Sequence, residues 1–530
     1  SLIANGLSFS SSGGNTVKNA GVFRKLGEFS ENFNVNFTNT GEIKVEAGTL
    51  LLNGTKDLQT GVFTLAAGTT LDVSGSSGIL SGIWTGTVSG TFKLDGNNSV
   101  AVDQTVTNRI SGNGITFTSG NLGGSGKFIN ETIFSVEGTA SKSFTLANFE
   151  NKGTFTLGNG TDNNGTISMY NNTVFDNLAG GTLIANGLSF SSSGENMVKN
   201  AGVFRKLGEF SESFNITLIN TGEIKVEAGT LGLTGNKDLR TGVFNIAQNA
   251  VLDTNNGSST LSGNWTGNIV GKFYLNGNSS VLENQTVVNQ TSGNGITFVS
   301  GSLGGSGKFI NETIFSVEGT ASKSFVINTF ENKGTFNLGN GTDNNGTISL
   351  YNNTIFDNLG TGEVLAKGLT FINNGVHMVN NAGTFRKLGN FDETFNVNVT
   401  NTGNIVGEAG RIIFSGSLNN TTTGRISGFA IGTPSGNNFT NSGILAPGLS
   451  PGELNFTGQL KLTNGILEIE IDGNTPGTEY DQITYNANTA VPLSGNVHVV
   501  LGFAPNVGDE FIIVKSQTAP ITSTLAAPPF

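Results

Sequence analysis

The chain repeats itself at two lengths, and any fold it adopts must satisfy both. Leu2-Ile-Ala-Asn-Gly-Leu-Ser-Phe9 recurs unchanged as Leu183 to Phe190. Asn19-Ala-Gly-Val-Phe-Arg-Lys-Leu-Gly27 recurs at Asn200 to Gly208, and again at Asn381 to Gly389 with Thr384 replacing valine. Gly126-Lys-Phe-Ile-Asn-Glu-Thr-Ile-Phe134 returns as Gly307 to Phe315. The offset is the same every time, from 2 to 183, from 19 to 200 to 381, and from 126 to 307. Copies therefore span 1–181 and 182–362, with a partial third over 363–411; the first two align without insertion or deletion. Exposed and buried positions match alike, so identity between copies singles out no functional residue.

A shorter beat runs inside the long one. Glycine followed by an apolar residue recurs as Gly21-Val-Phe, Gly41-Glu-Ile, Gly61-Val-Phe and Gly82-Ile-Trp, at spacings of 20, 20 and 21. Asn19, Asn39 and Asn151 precede such glycines by two positions. About twenty residues is one coil of a β-solenoid, made of three short strands and tight turns. Alternation within a coil, as in Glu42-Ile43-Lys44-Val45-Glu46, puts Ile43 and Val45 inside and the charges outside. The expected fold is all-β, a right-handed parallel β-helix with about nine coils per copy. Glycine and asparagine suit its corners because both tolerate positive φ. Stacked asparagines form ladders across coils, and Phe23, Phe63, Phe134, Phe144 and Phe155 form interior stacks. A β-sandwich array predicts repeats near 90–100 residues with linkers, which this beat does not show.

Composition supports this reading and removes several functions. Only 12% of residues are charged, 78 are glycine, and 38 are phenylalanine against 5 tyrosines. A disordered chain carries few aromatics and a high net charge. The net charge of −11, with no clustered Lys or Arg, disfavours nucleic acid and anionic lipid. No apolar run approaches the length that spans a bilayer as a helix. Cysteine is absent, so thiolate chemistry is excluded and stability must come from a continuous core. The chain opens in mid-repeat, which leads us to expect that the natural protein extends further towards its N-terminus.

Proline marks a second region. All nine prolines lie between Pro434 and Pro529. A proline removes a ladder donor, so a proline-free stretch suits an unbroken stack, and we divide the chain into a solenoid over 1–433 and a capping or continuing β region over 434–530. The latter carries Asn441-Ser-Gly-Ile-Leu-Ala-Pro-Gly-Leu-Ser-Pro-Gly-Glu-Leu454, then Leu467-Glu-Ile-Glu-Ile-Asp472, Thr475-Pro-Gly-Thr-Glu-Tyr-Asp-Gln-Ile483 and Phe503-Ala-Pro-Asn-Val-Gly-Asp-Glu-Phe511. This order resembles the C-terminal end of passenger regions in Gram-negative surface proteins, the autotransporter-like and filamentous-haemagglutinin-like adhesins. The resemblance covers 441–515, and the repeats only in style. It implies an exported parallel β-helix displayed outside the outer membrane, with an anchoring or sorting element commonly following. It also implies adhesive or structural work, with a surface glycan or a cell receptor as partner; low charge and polar, uncharged faces would permit self-association into filaments.

The sequence offers little chemistry. His377 and His498 are the only histidines and read as solvated or turn residues; no nucleophile-elbow motif accompanies either. Parallel β-helices that process polysaccharides gather carboxylates, or acid with Lys or Arg, in a groove. The candidates are Arg24 and Lys25 near Glu28, repeated at Arg205, Lys206 and Glu209 and at Arg386 and Lys387. Appearing once per copy, they read as solvated charges beside a turn. Gly158-Asn-Gly-Thr-Asp-Asn-Asn-Gly165 and its copy Gly339 to Gly346 read as Asn/Gly turns, since calcium loops want acids at alternate positions. Asp472, Glu479 and Asp481 form a denser acidic group and are the alternative calcium site. We expect no catalytic, cofactor or metal residues, and a structural or adhesive surface fibre. A carbohydrate-processing enzyme is the alternative, and a groove of clustered carboxylates would favour it. Ice binding needs Thr arrays in register, which the irregular Thr placement opposes.

Overall fold

The computed structural model describes residues 1–161, 165–342, 346–373, 377–433, 439–457, 460–462, 465–486, 491–517 and 520–526. Pro434, Asp162 to Asn164, Asp343 to Asn345 and Ala527 to Phe530 lie outside them. Among the described residues there are strands, turns and loops and no helix. Two compact units are present, Ser1–Ser259 with Gly267–Phe273, and Thr260–Thr266 with Tyr274–Phe530. Each is a parallel β-solenoid.

In the first unit a coil has three short strands, such as Val22–Lys25, Ser30–Asn34 and Asn36–Asn39. Each pairs in parallel with its counterpart one coil on: Phe23 with Ile43, Phe33 with Leu52, and Asn39 with Leu58. Alternation within the strands sets the burial, so Phe23, Ile43 and Phe63 are fully buried while Arg24 and Lys44 face out. Coils are not uniform. Register partners differ by 20 in number at Asn19 and Asn39, but by 26 at Asn151 and Asn177, where the Gly158–Gly165 loop intervenes.

Following the register along one face corrects the expected nine coils per copy. Leu50 stacks on Leu71, then Phe92, Ile115, Phe134, Phe155, Leu183 and Phe204. Phe204 is the copy of Phe23, yet Phe23 sits one face earlier, stacked on Ile43. One copy thus winds eight coils plus one further face, so the average coil is slightly longer than the expected twenty. The same sequence occupies different sides of the first unit in successive copies.

The corner asparagines form the expected ladders. Asn108, Asn130, Asn151, Asn177, Asn200 and Asn220 run through the first unit, each Nδ2 donating to the next Oδ1 at 2.7–2.8 Å. In the second unit the run is longer, from Asn289 through Asn311, Asn332, Asn358, Asn381, Asn401 and Asn420 to Asn441. The second amide proton reaches a backbone carbonyl, as from Asn151 to Gly153. The glycine two positions on is needed for a reason other than φ. A Cβ on Gly41 would lie 2.2 Å from the Gly21 carbonyl oxygen, and one on Gly222 equally close to that of Gly202. Positive φ falls instead to Gly27, Gly48 and Gly68.

Phenylalanine fills the interior in two ways. Phe134 lies over Phe155 at 5.3 Å and 8°, and Phe149 over Phe175 at 5.2 Å and 12°. In the second unit Phe309 covers Phe330 at 5° and Phe315 covers Phe336 at 3°. Phe23 and Phe63 instead make tilted contacts across the core, to Phe33 and to Phe92, because their axial neighbour is Ile43. The proline-bearing segment of the second unit keeps the parallel pairing. Arg425–Gly428 pairs with Ile444–Pro447, that strand with Ile466–Ile471, and the latter with Val491–Leu501.

Asn332→Ala deprives Asn311 Nδ2 of its side-chain acceptor and Asn358 Oδ1 of its donor. It is expected to lower the opening free energy of the flanking strands by about 2–4 kcal/mol, at roughly 1–3 kcal/mol for each unsatisfied buried group. Asn19→Ala, at the first rung of a short run, should cost less than half as much. Site-resolved amide hydrogen exchange measures both, since a solenoid need not unfold in one step.

Candidate functional site

The repeated charge motif is the first candidate, and the structure divides it in a way the sequence reading did not. Arg24 faces out and forms a two-point pair with Glu46 of the next coil at 3.0 and 2.9 Å. Lys44 joins the same carboxylate at 3.0 Å. Glu28 and Glu209 are exposed, as expected. Lys25 is not solvated: its side chain has no exposed surface. Its Nζ donates to the carbonyls of Leu26, Gly27 and Ala47 at 2.7, 2.6 and 3.1 Å and lies 3.7 Å from Glu31. Glu31, equally buried, accepts from Gly6 N–H. The same pair recurs as Lys206 with Glu212 at 3.6 Å and Lys387 with Glu393 at 3.2 Å. Strand alternation was the available signal, because Phe23 inside and Arg24 outside put Lys25 inside.

Burial shifts the titration of the second and third glutamates. It pushes the Glu212 and Glu393 carboxyls up to about 7, with the lysine and a backbone N–H pulling back, and it lowers Lys206. A further set of buried lysines does without a close carboxylate. Lys56 donates to Ser74 and Ser76 carbonyls at 2.6 Å, and Lys237 to those of Leu233 and Thr254 at 3.0 Å. Burial brings both down to about 8, with Asp72 and Asp253 opposing. Each ammonium closes a turn by saturating inward-facing carbonyls, a structural task.

The second candidate is a cleft in the second unit, about 120 Å³ in volume and lined in part by Arg425, Ser450, Glu468, Glu470 and Asp481. Paired Pro-Gly turns build its rim. Gly448 and Gly452 pass so closely that a Cβ on Gly448 would lie 2.3 Å from the Gly452 Cα, and Ser450 between them has φ of 107°. Arg425 reaches Glu468 at 2.6 Å, and this bond with the opposite charge holds that carboxyl below its ordinary range. His498, largely exposed, approaches the same carboxylate at 3.6 Å. Asp481 is buried, and burial raises it to about 6 although it accepts from Gly452 N–H at 2.7 Å and Glu470 N–H at 2.8 Å. Its neighbours in the resembling motifs meet here too. Tyr480 packs edge-on to Phe511 at 5.3 Å, and Gln482 Nε2 donates to the Ile512 carbonyl at 2.6 Å.

Of the proposed calcium group, Asp472 and Glu479 are adjacent, the Asp472 N–H donating to the Glu479 carbonyl at 2.6 Å. Asp481 points into its backbone cradle, while Glu479 accepts from Thr475 N–H at 2.9 Å and so closes its own loop. Among the described residues no group of three acids or histidines is arranged to hold a metal ion. In the Asn/Gly loops Asn159 and Asn340 accept from Thr161 and Thr342 two residues on, and the loop acids lie outside the described residues. His377 is buried rather than solvated, a correction to the sequence reading. No protein family and no curated protein matches the chain.

The raised carboxyls have a pH signature. Glu212 and Glu393 bind a proton more tightly folded (about 7) than at the ordinary value of 4.5. Their stabilisation is full below pH 4.5 and is lost as pH rises through 7. Lys56 and Lys237 act oppositely, adding stability as pH climbs from about 8 past the ordinary 10.5. Replacing both glutamates by glutamine should flatten the fall in melting midpoint between pH 4.5 and 7 by on the order of 2 °C per site. An unchanged slope would assign the titration to other groups.

Proposed function

We propose that this chain is a structural or adhesive component of a bacterial cell surface, working through the faces of a stacked β-solenoid rather than through catalysis. The observation that carries the reading is where the polar chemistry goes. Arg24, Arg109 and Arg205 pair with glutamates one coil on, Lys25 and Lys206 close turns, and the asparagines bond one another. In these clusters the groups that could have acted on a substrate are engaged in holding coil to coil. The shift of one face per copy adds to this. The Arg24 and Arg205 clusters look out from different sides of the first unit, so duplication has not lined them along one groove.

Display outside an outer membrane rests on the resemblance of residues 441–515 to passenger regions of Gram-negative adhesins, and filament formation rests on the weakly charged surface. The alternative, a carbohydrate-processing enzyme, rests on the cleft with Glu468, Glu470 and Asp481. Its small volume, and the engagement of Glu468 and Asp481 by Arg425 and backbone N–H groups, count against that use.

Immunogold electron microscopy of intact cells, with antibody raised against the full chain, is expected to label surface fibres or rods. Label confined to the cell interior would overturn surface display. Release of reducing ends from a polysaccharide, abolished by Asp481→Asn, would replace the structural reading with the enzymatic one.

A further inference from the structure

The first unit has a hollow on one sheet face that neither the coil contacts nor the acidic cleft explains. Its floor is three consecutive coils in register: Lys93 beside Thr116, and Thr116 beside Ser135. The hollow, about 620 Å³, is bordered by Gly90, Gly112 and Gly138, which carry no side chain to fill it. At Gly138, φ +76°, a Cβ would meet nothing within 4 Å. At Gly112, φ +82°, the Val88 carbonyl bars a side chain. The cavity falls within the range of roughly 300–1,000 Å³ typical of ligand pockets.

What lines it differs from the paired charges elsewhere on the unit. The side chains of Thr91, Lys93, Thr116, Ser135 and Glu137 all border the hollow, and among the described residues none has a hydrogen-bond or ion-pair partner. Lys93 senses Asp72 only as a nearby charge. Three hydroxyls that donate and accept, one ammonium donor and one carboxylate acceptor thus converge on one concavity, with exposed Ile133 as an apolar contact. One positive and one negative charge leave the lining without a net demand for a charged ligand.

We propose that this groove binds a neutral, hydroxyl-rich oligosaccharide, with Glu137 accepting from sugar hydroxyls, Lys93 donating to them, and the Thr116–Ser135 row serving as the floor. Three coils at the parallel strand spacing of about 4.8 Å give a floor on the order of 10 Å across, room for more than one sugar ring. The assignment rests on the adhesive form of the proposed function. The second copy carries Lys272, Tyr274 and Val299 where Thr91, Lys93 and Thr118 stand, so this donor set belongs to the first copy alone.

Saturation-transfer difference NMR on the full chain, with neutral tetrasaccharides of glucose, mannose, galactose and N-acetylglucosamine as probes, tests the site. At least one should bind saturably. Glu137→Gln should weaken it by about tenfold, the loss of a hydrogen bond to a charged acceptor. Thr116→Arg, which fills the groove from an outward-facing position, should abolish it with the melting curve unchanged. No saturable binding by any probe, or binding that both variants leave intact, would overturn the glycan site. Surface labelling in the microscopy experiment would stand in either case, so the two failures are distinguishable.

Discussion

Parallel, in-register stacking brings each residue of a coil against a residue at the corresponding place in the next. Polar groups turned inward at a corner must then find partners along the stack or remain unsatisfied. Asparagine meets this condition by itself, since its amide has both donor and acceptor. Asn289 through Asn441 show the result, an unbroken run bonded head to tail. The glycine two places on belongs to the same solution, because only a residue without Cβ lets adjacent corners approach as Gly21 and Gly41 do. The Asn-x-Gly beat is therefore one device for closing a corner.

Lysine performs the complementary task at other corners. Among the described residues, Lys25, Lys56, Lys142, Lys206, Lys237, Lys323 and Lys387 are buried. A long apolar stem crosses the core edge and delivers three N–H donors to turn carbonyls that no strand can reach. Where a glutamate is buried beside the ammonium, as at Glu212 and Glu393, desolvation pushes the carboxyl towards neutrality. These pairs resemble an active site in burial and in pKa, which shows why perturbed titration alone identifies no catalyst.

The shift of one face per copy follows from chain length. A copy spanning 1–181, at the coil length these turns require, ends one third of a coil out of phase with its start. All three faces are parallel sheet with the same alternation, so a given segment is accommodated on whichever face it reaches. That tolerance spreads one set of surface features around the first unit. A particular surface such as the hollow at Thr116 then needs local differences between copies.

Much of this was legible in the sequence. Period-two alternation, the Asn-x-Gly beat and the absence of proline before 434 define a parallel β-solenoid with Asn ladders and an aromatic interior, because each reflects a constraint acting on every coil alike. The burial of Lys25 was legible by the same alternation, although its charge pointed the other way. Other features depended on positions far apart in the chain. Whether Phe134 stacks on Phe155 or Phe23 tilts against Phe33 depends on which residue the winding puts one coil on. The coil count per copy depends on how much chain each turn consumes, which no local pattern records. The seating of Asp481 in a backbone cradle, and the gathering of Lys93, Thr116 and Glu137 around one hollow, were decided by tertiary structure. Strand alternation sets which way a side chain faces, but only the register of successive coils sets what it faces.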